Sequence, residues 1–139
     1  MNDLKRSSGL SWGLLILRVG AGALLLYGHG WGKLVNFSQY AATFPDPLGV
    51  GSPTSLGLVV FAEVFCSIGI MLGLFTRFTL VPLLVFTGVA AFVHHAADPW
   101  PKKELALLYA VPFVTLMIAG PGRFSLDAVL ARFRKRRPG

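Results

Sequence analysis

The amino-acid sequence predicts an all-α integral membrane protein, a bundle of four helices that cross a bilayer. Hydrophobic residues make up 54% of the chain and charged residues only 14%, whereas a soluble domain carries about 25% charged residues. A chain of 139 residues has too much surface for its volume to hide that apolar area in a water-soluble core. The apolar residues fall into four runs, and these runs do not alternate with polar residues as barrel strands do.

We expect one membrane domain over residues 1–139, with a basic tail over residues 121–139. The four spans are predicted at about residues 10–31, 55–75, 78–96 and 105–120, close to the ~20 residues that a crossing helix needs. The first run is too long for the apolar core of a signal peptide and contains Arg18, so we predict a retained span. Pro82 and Pro112 are expected to kink the third and fourth helices or to begin them.

The connections predict smaller elements. Residues 35–42 have the composition of a short interfacial helix in the first outer loop, and a turn-rich stretch with three prolines follows it. A tight turn is expected around Thr76–Arg77. After the fourth span, Ser125 is predicted to cap a further helix. That helix would carry one apolar face, formed by Leu126, Val129, Leu130 and Phe133.

The orientation follows from the distribution of lysine and arginine beside the spans. With the N-terminus inside, nine basic residues lie on the inner side: Lys5, Arg6, Arg77, Arg123, Arg132, Arg134, Lys135, Arg136 and Arg137. The outer side then has three, Lys33, Lys102 and Lys103. We therefore predict that both termini are cytoplasmic. The basic tail follows apolar spans, so we expect it to meet a membrane surface and not nucleic acid.

Ionisable groups within the spans are the candidates for a site, because each costs at least ~2.5–3.5 kcal/mol on insertion scales unless it faces the bundle interior. Arg18 and Glu63 both lie eight residues into a span, from opposite sides of the membrane. At 1.5 Å per residue each lies about 12 Å from its own side of a ~30 Å hydrocarbon layer, so their levels along the membrane normal differ by about 6 Å. We predict that they approach each other, either as a structural ion pair or as part of a polar ligand site.

The stretch LLLYGHGWGK at the end of the first span places a histidine among glycines. Residues 18, 22, 25, 29 and 33 form one stripe of a helix, so His29 and Lys33 should face inward with Arg18. Gly28 and Gly32 have GxxxG spacing, which predicts close approach of another helix, and they would also permit a local break. Gly69 and Gly73 repeat that spacing in the second span.

Two further histidines, His94 and His95, end the third span. The predicted ligand-binding set is Arg18, His29, Lys33, Glu63, His94 and His95. Two histidines and a carboxylate are a conceivable metal site, but neither HxxxH nor HExxH spacing is present, so we expect no metal and no haem. Hydrogen bonding of the histidines to loop carbonyls and a proton-coupled role stay open. Cys66 lies within an apolar run and is expected to pack there.

Five segments together resemble the DoxX/DoxD family of small bacterial membrane proteins. They are LRVGAGALLLYGHGWGKL, FAEVFCSIGIMLGLFTR, AAFVHHAADPW, KELALLYA and GPGRFSLDAVL, and they extend over about residues 14–130. The resemblance implies a four-helix bundle in the bacterial cytoplasmic (inner) membrane. It also implies an association with redox systems, since some members are similar to subunits of a thiosulfate:quinone oxidoreductase.

Two functions remain as hypotheses. The first is a subunit or accessory of a quinone- or thiol-linked membrane oxidoreductase, with quinone as the expected ligand and an oxidoreductase as the partner protein. The alternative is a non-catalytic protein that binds a lipid-like ligand or assists membrane-protein assembly. No catalytic residue is assigned. Whether the chain is an enzyme or forms a homo-oligomer is left open.

Overall fold

The structure is a computed structural model that describes residues 3–135, with side chains from Ser7 onward. Within that range the fold is all-helical and contains no strand, as the composition predicts. Three helices are long and apolar enough to span a membrane: Ser7–Val35, Ser52–Leu72 and Thr76–His94. These three correspond to the first three predicted spans, with boundaries that differ by a few residues.

Helix α1 covers residues 3–35, α2 is Phe37–Tyr40, α3 is Ser52–Leu72, α4 is Thr76–His94, α5 is Trp100–Ala119 and α6 is Leu126–Lys135. Helix α2 lies within the segment predicted as a short helix. Helix α5 begins five residues before the predicted fourth span. Pro82 and Pro112 both lie inside their helices and begin neither one.

Side chains from four helices form one core that holds the bundle together. Its buried members are Leu14 and Leu25 of α1, Ala62, Cys66 and Ile70 of α3, Leu80 and Leu83 of α4, and Phe113 and Leu116 of α5. Cys66 is a free cysteine within this core, so its position agrees with the packing role expected from the sequence. A second, smaller cluster joins α1 and α3 to α2, around Leu56 and Val60.

The turn between α3 and α4 covers residues 73–75, so the predicted turn around Thr76–Arg77 is wrong by about two residues. Gly73 takes a left-handed conformation with φ of 65°. The N–H groups of Gly73 and Leu74 donate to the carbonyls of Ile70 and Gly69, at 3.1 and 2.9 Å. This pair of hydrogen bonds ends a helix at a left-handed glycine, so Thr76 is already the first residue of α4.

The inward stripe of α1 is confirmed, but the predicted close packing of Gly28 and Gly32 is wrong. Gly28 and Gly32 have open space where a Cβ would be. At Gly30 a Cβ would lie 2.9 Å from the carbonyl oxygen of Glu63, so α1 and α3 approach each other there. Gly69 packs closely as predicted, since a Cβ would lie 2.6 Å from the side chain of Thr79.

Candidate functional site

The main cavity of the bundle has a volume of about 540 Å³ and lies between α1, α3, α4 and α5. Ligand cavities in proteins typically measure ~300–1,000 Å³. Most of its wall is apolar. Five of the six residues that the sequence predicts as ligand-binding line it: His29, Lys33, Glu63, His94 and His95. The structure therefore brings together side chains from three helices that are far apart along the chain.

Three of these side chains lie on π-helical turns. The turns are Leu26–Gly30 in α1, Phe61–Cys66 in α3 and Ala90–His94 in α4, and they carry His29, Glu63 and His94 respectively. A π turn adds a residue to the helical repeat and re-aims the side chains around it, and such turns are frequent at functional sites. No break is present in the glycine-rich end of the first span, because α1 continues through it, but the first of the three π turns lies there.

Lys33 and Glu63 form an ion pair in the wall of the cavity. The Lys33 ammonium donates to both carboxylate oxygens of Glu63, at 2.7 and 3.0 Å. The Glu63 side chain is 2% exposed and that of Lys33 is 24% exposed. The same ammonium lies 3.3 Å from the carbonyl oxygen of His29. The pair therefore places a fixed, nearly buried charge pair beside an apolar space.

Arg18 lies away from the cavity, and the predicted approach of Arg18 to Glu63 is wrong. The guanidinium donates to the carbonyls of Met71, at 2.8 Å, of Ile70 and of Phe124. The first two belong to the last turn of α3, whose carbonyls have no partner within the helix. A cation is also favourable at the C-terminus of a helix.

The axial register of the helices explains this error. Gly30 lies beside Glu63, and Gly22 lies beside Ser67 and Met71. Helix α1 therefore extends well beyond the end of α3, and Arg18 is level with the α3–α4 turn. If the first span began at the level where α3 ends, Arg18 would lie nearer to Glu63, and this arrangement is the one that the sequence predicted.

Tyr109 of α5 is a cavity residue that the sequence analysis missed. Its ring meets the ring of His29 edge to face, with the centroids 5.7 Å apart, and it lines the cavity. A signal was present in KKELALLY, residues 102–109. Lys102, Leu105, Ala106 and Tyr109 are spaced i, i+3, i+4 and i+7, which defines one face of a helix, and all four line the cavity.

The loop before α5 forms one rim of the cavity. His95 Nδ1 lies 2.6 Å from a carboxylate oxygen of Asp98, and the ring centroids of His94 and His95 are 4.4 Å apart. The hydrogen bond with His95 holds the pKa of the Asp98 carboxyl below its ordinary value. Among the residues that the structure describes, no three His, Cys, Asp or Glu side chains come together as a metal-binding group.

The cavity opens at the side of the bundle. Leu58 and Phe61 of α3 and Val85 of α4 line it and are about half exposed. The loop before α3 forms the opposite rim with Phe44, Pro45, Pro47 and Leu48. The opening is therefore apolar and faces the surroundings of the helices, which for a membrane-spanning bundle are lipid.

A second, smaller pocket of about 300 Å³ is lined by residues of α1, of α2 and of the segment after it. Its walls are formed by His29, Gly32, Lys33, Tyr40 and Phe44. His29, Lys33 and Phe44 therefore line both spaces.

Comparisons with known proteins identify the group to which the chain is related. The sequence profile of the DoxX family matches residues 13–96. The chain is 30% identical over 123 residues to "Inner membrane protein YqjF" of Escherichia coli (strain K12), covering 85% of this chain and 92% of that protein. It is 32% identical over 118 residues to "Uncharacterized membrane protein Rv3486" of Mycobacterium tuberculosis, covering 64% of this chain and 69% of that protein. No solved structure matches.

These similarities cover α1, α3 and α4, which are the three helices long and apolar enough to cross a bilayer. They confirm the location expected from the sequence, a multi-pass protein of the bacterial inner membrane. The chain belongs to the DoxX family of membrane proteins.

Proposed function

We propose that the protein binds a membrane-soluble amphiphile of the quinone type in the 540 Å³ cavity and serves as a subunit or accessory of a membrane oxidoreductase. The observation that carries the proposal is the Lys33–Glu63 pair in the wall of an apolar cavity that opens sideways. A quinone has an apolar tail and carbonyl oxygens that accept hydrogen bonds. The tail fits the apolar opening, and the ammonium of Lys33, the imidazole of His29 and the phenol of Tyr109 are the donors for its head.

In this proposal the binding set is His29, Lys33, Glu63, His94 and His95, with Tyr109 added. Glu63 holds the Lys33 ammonium in place, because both of its oxygens accept from that group. Arg18 is left out of the set, since its hydrogen bonds all go to backbone carbonyls at the other end of the bundle. Electrons would pass to or from the quinone through the oxidoreductase partner.

A second candidate is a non-catalytic protein that binds a lipid-like ligand or assists the assembly of a membrane protein. Its support is the predominantly apolar wall of the cavity and the half-exposed side chains at its opening. An acyl chain fills such a space without needing redox chemistry, and a polar head group would lie near Lys33. The two candidates share the site and differ in the ligand.

The test is extraction of the protein purified in mild detergent from native membranes, with mass spectrometry and an absorption spectrum of the extract. The first candidate predicts a quinone in amounts comparable to the protein, lost in Glu63→Gln and retained in the control Glu104→Gln, whose side chain is exposed and lies outside the cavity. A phospholipid with the same dependence on Glu63 would support the second candidate. A ligand content that is equal in both variants would refute the site.

We further propose that α5 is the fourth crossing helix and that both termini are cytoplasmic. Its 20 residues extend about 30 Å at 1.5 Å per residue, which matches the hydrocarbon thickness. An impermeant thiol reagent added to intact cells should label Lys103→Cys and should not label Arg77→Cys. Labelling of both positions, or of the second alone, would refute this topology.

A further inference from the structure

Helix α6 has an apolar face that the described part of the protein leaves exposed. None of its residues is buried. Leu126, Val129, Leu130 and Phe133 are all exposed, and at 100° per residue they lie within one 100° sector of the helix. A helix of ten residues is marginal in water without packing, so this face needs a cover.

The start of α6 is fixed against the bundle. The Asp127 carboxylate accepts from the backbone N–H groups of Phe75 and Thr76, at 2.8 and 2.9 Å, and from the Thr76 hydroxyl at 2.7 Å. The Asp127 N–H donates to the carbonyl of Gly73 at 2.8 Å. Ser125 accepts from the N–H of Ala128, as the predicted cap requires. Helix α6 therefore begins at the level where the chain turns from α3 into α4.

The last turn of α6 carries three basic residues, two of which flank its apolar face. Arg132 and Arg134 project about 100° to either side of that face, and Lys135 projects away from it. Over residues 7–135, Arg77, Arg132, Arg134 and Lys135 have no carboxylate within 4.0 Å. The one acidic side chain of α6, Asp127, is occupied by the turn. This end of the protein thus presents cations whose charge the described part of the chain does not neutralise.

We propose that α6 is a lipid-binding helix that lies in the headgroup region and recognises phospholipids with anionic headgroups. The bilayer is the cover that the position of α6 favours, because the helix begins where two apolar helices turn back. Leucine, valine and phenylalanine side chains would enter the acyl boundary, and the flanking arginines would reach the phosphates. Each basic residue near an anionic surface strengthens such binding about fivefold.

The test places an environment-sensitive thiol probe on α6 of the full-length protein in nanodiscs. Phe133→Cys puts the probe on the apolar face, and Ala131→Cys puts it on the opposite face as the matched control. Cys66 is buried, so the unsubstituted chain serves as the labelling blank. Both faces of a nanodisc carry the same lipid, so the result does not depend on the proposed orientation or function.

The proposal predicts blue-shifted emission and quenching by spin-labelled lipid at position 133 but not at 131. Adding 30% phosphatidylglycerol to phosphatidylcholine should increase the immersed fraction at 133. Combined Arg132→Gln, Arg134→Gln and Lys135→Gln should abolish that increase, whereas Lys102→Gln with Lys103→Gln should leave it. The proposal would be overturned if the probes at positions 131 and 133 both showed the emission of an aqueous environment. It would also be overturned if the immersed fraction at position 133 did not change with phosphatidylglycerol.

Discussion

Removal of the Lys33 ammonium is the perturbation that tests the site most directly. In Lys33→Gln the carboxylate of Glu63, 2% exposed, keeps its place and loses the cation that contacts both of its oxygens. Breaking a buried ion pair by removing one partner costs about 3–5 kcal/mol. Lys33 is 24% exposed, so the pair is not fully buried and we expect the lower end, about 3 kcal/mol. Replacing both partners, Lys33→Met with Glu63→Leu, leaves no buried charge and should restore most of the stability.

The assay is reversible unfolding in mixed micelles of a mild detergent and dodecyl sulfate, followed by circular dichroism. The control is Lys102→Gln, because that side chain is 62% exposed and lies 3.7 Å from Asp98. An exposed pair of that kind contributes about 0–1 kcal/mol. The reasoning is refuted if Lys33→Gln lowers the free energy of unfolding no more than the control does. It is also refuted if the double variant is as unstable as the sum of its two single variants.

Three further outcomes are expected. Arg18→Met should lower the free energy of unfolding by about 1–3 kcal/mol, because the carbonyls of Met71 and Phe124 lose the guanidinium that donates to them, whereas that of Ile70 keeps the N–H of Gly73. The exposed Arg77→Met should change it by less than ~0.5 kcal/mol; thermal unfolding in detergent compares the two. Gly30→Ala should destabilise the protein by about 1–3 kcal/mol, since its Cβ would lie 2.9 Å from a backbone oxygen of α3. Gly28→Ala should be neutral or stabilising by up to ~1 kcal/mol. Equal effects of the two substitutions would contradict the close approach of α1 and α3 at Gly30. Hydrogen bonds to its carboxylate, first of all the one from the Ser55 hydroxyl, lower the pKa of Asp46. The ionised carboxylate therefore stabilises the fold above the ordinary pKa of 3.8, and this stabilisation is lost as the pH falls through the lowered pKa. Unfolding measured from pH 6 to pH 2 should show this loss of stability in the unsubstituted protein and not in Asp46→Asn.

Much of the candidate site could be predicted from local sequence patterns. The spacing of residues 18, 25, 29 and 33 defines one face of a helix, and in the structure that face points inward. The glycines around His29 indicated an irregularity, and α1 has a π turn there, although the helix does not break. These predictions succeed because helical periodicity depends only on neighbours along the chain. Tyr109 was missed because an aromatic residue in an apolar helix most often only packs, although its spacing from Lys102, Leu105 and Ala106 placed it on one helix face.

The sequence by itself determined the surroundings of the chain and its helices: long apolar runs with few charges must be helical in lipid, and their ionisable side chains must face the bundle interior. The tertiary structure alone decided which ionisable groups meet. Lys33 pairs with Glu63 while Arg18 binds the end of α3, because α1 extends beyond α3. Close packing of Gly30 against Glu63 and of Gly22 against Ser67 accompanies that axial offset, and both contacts join residues distant in sequence.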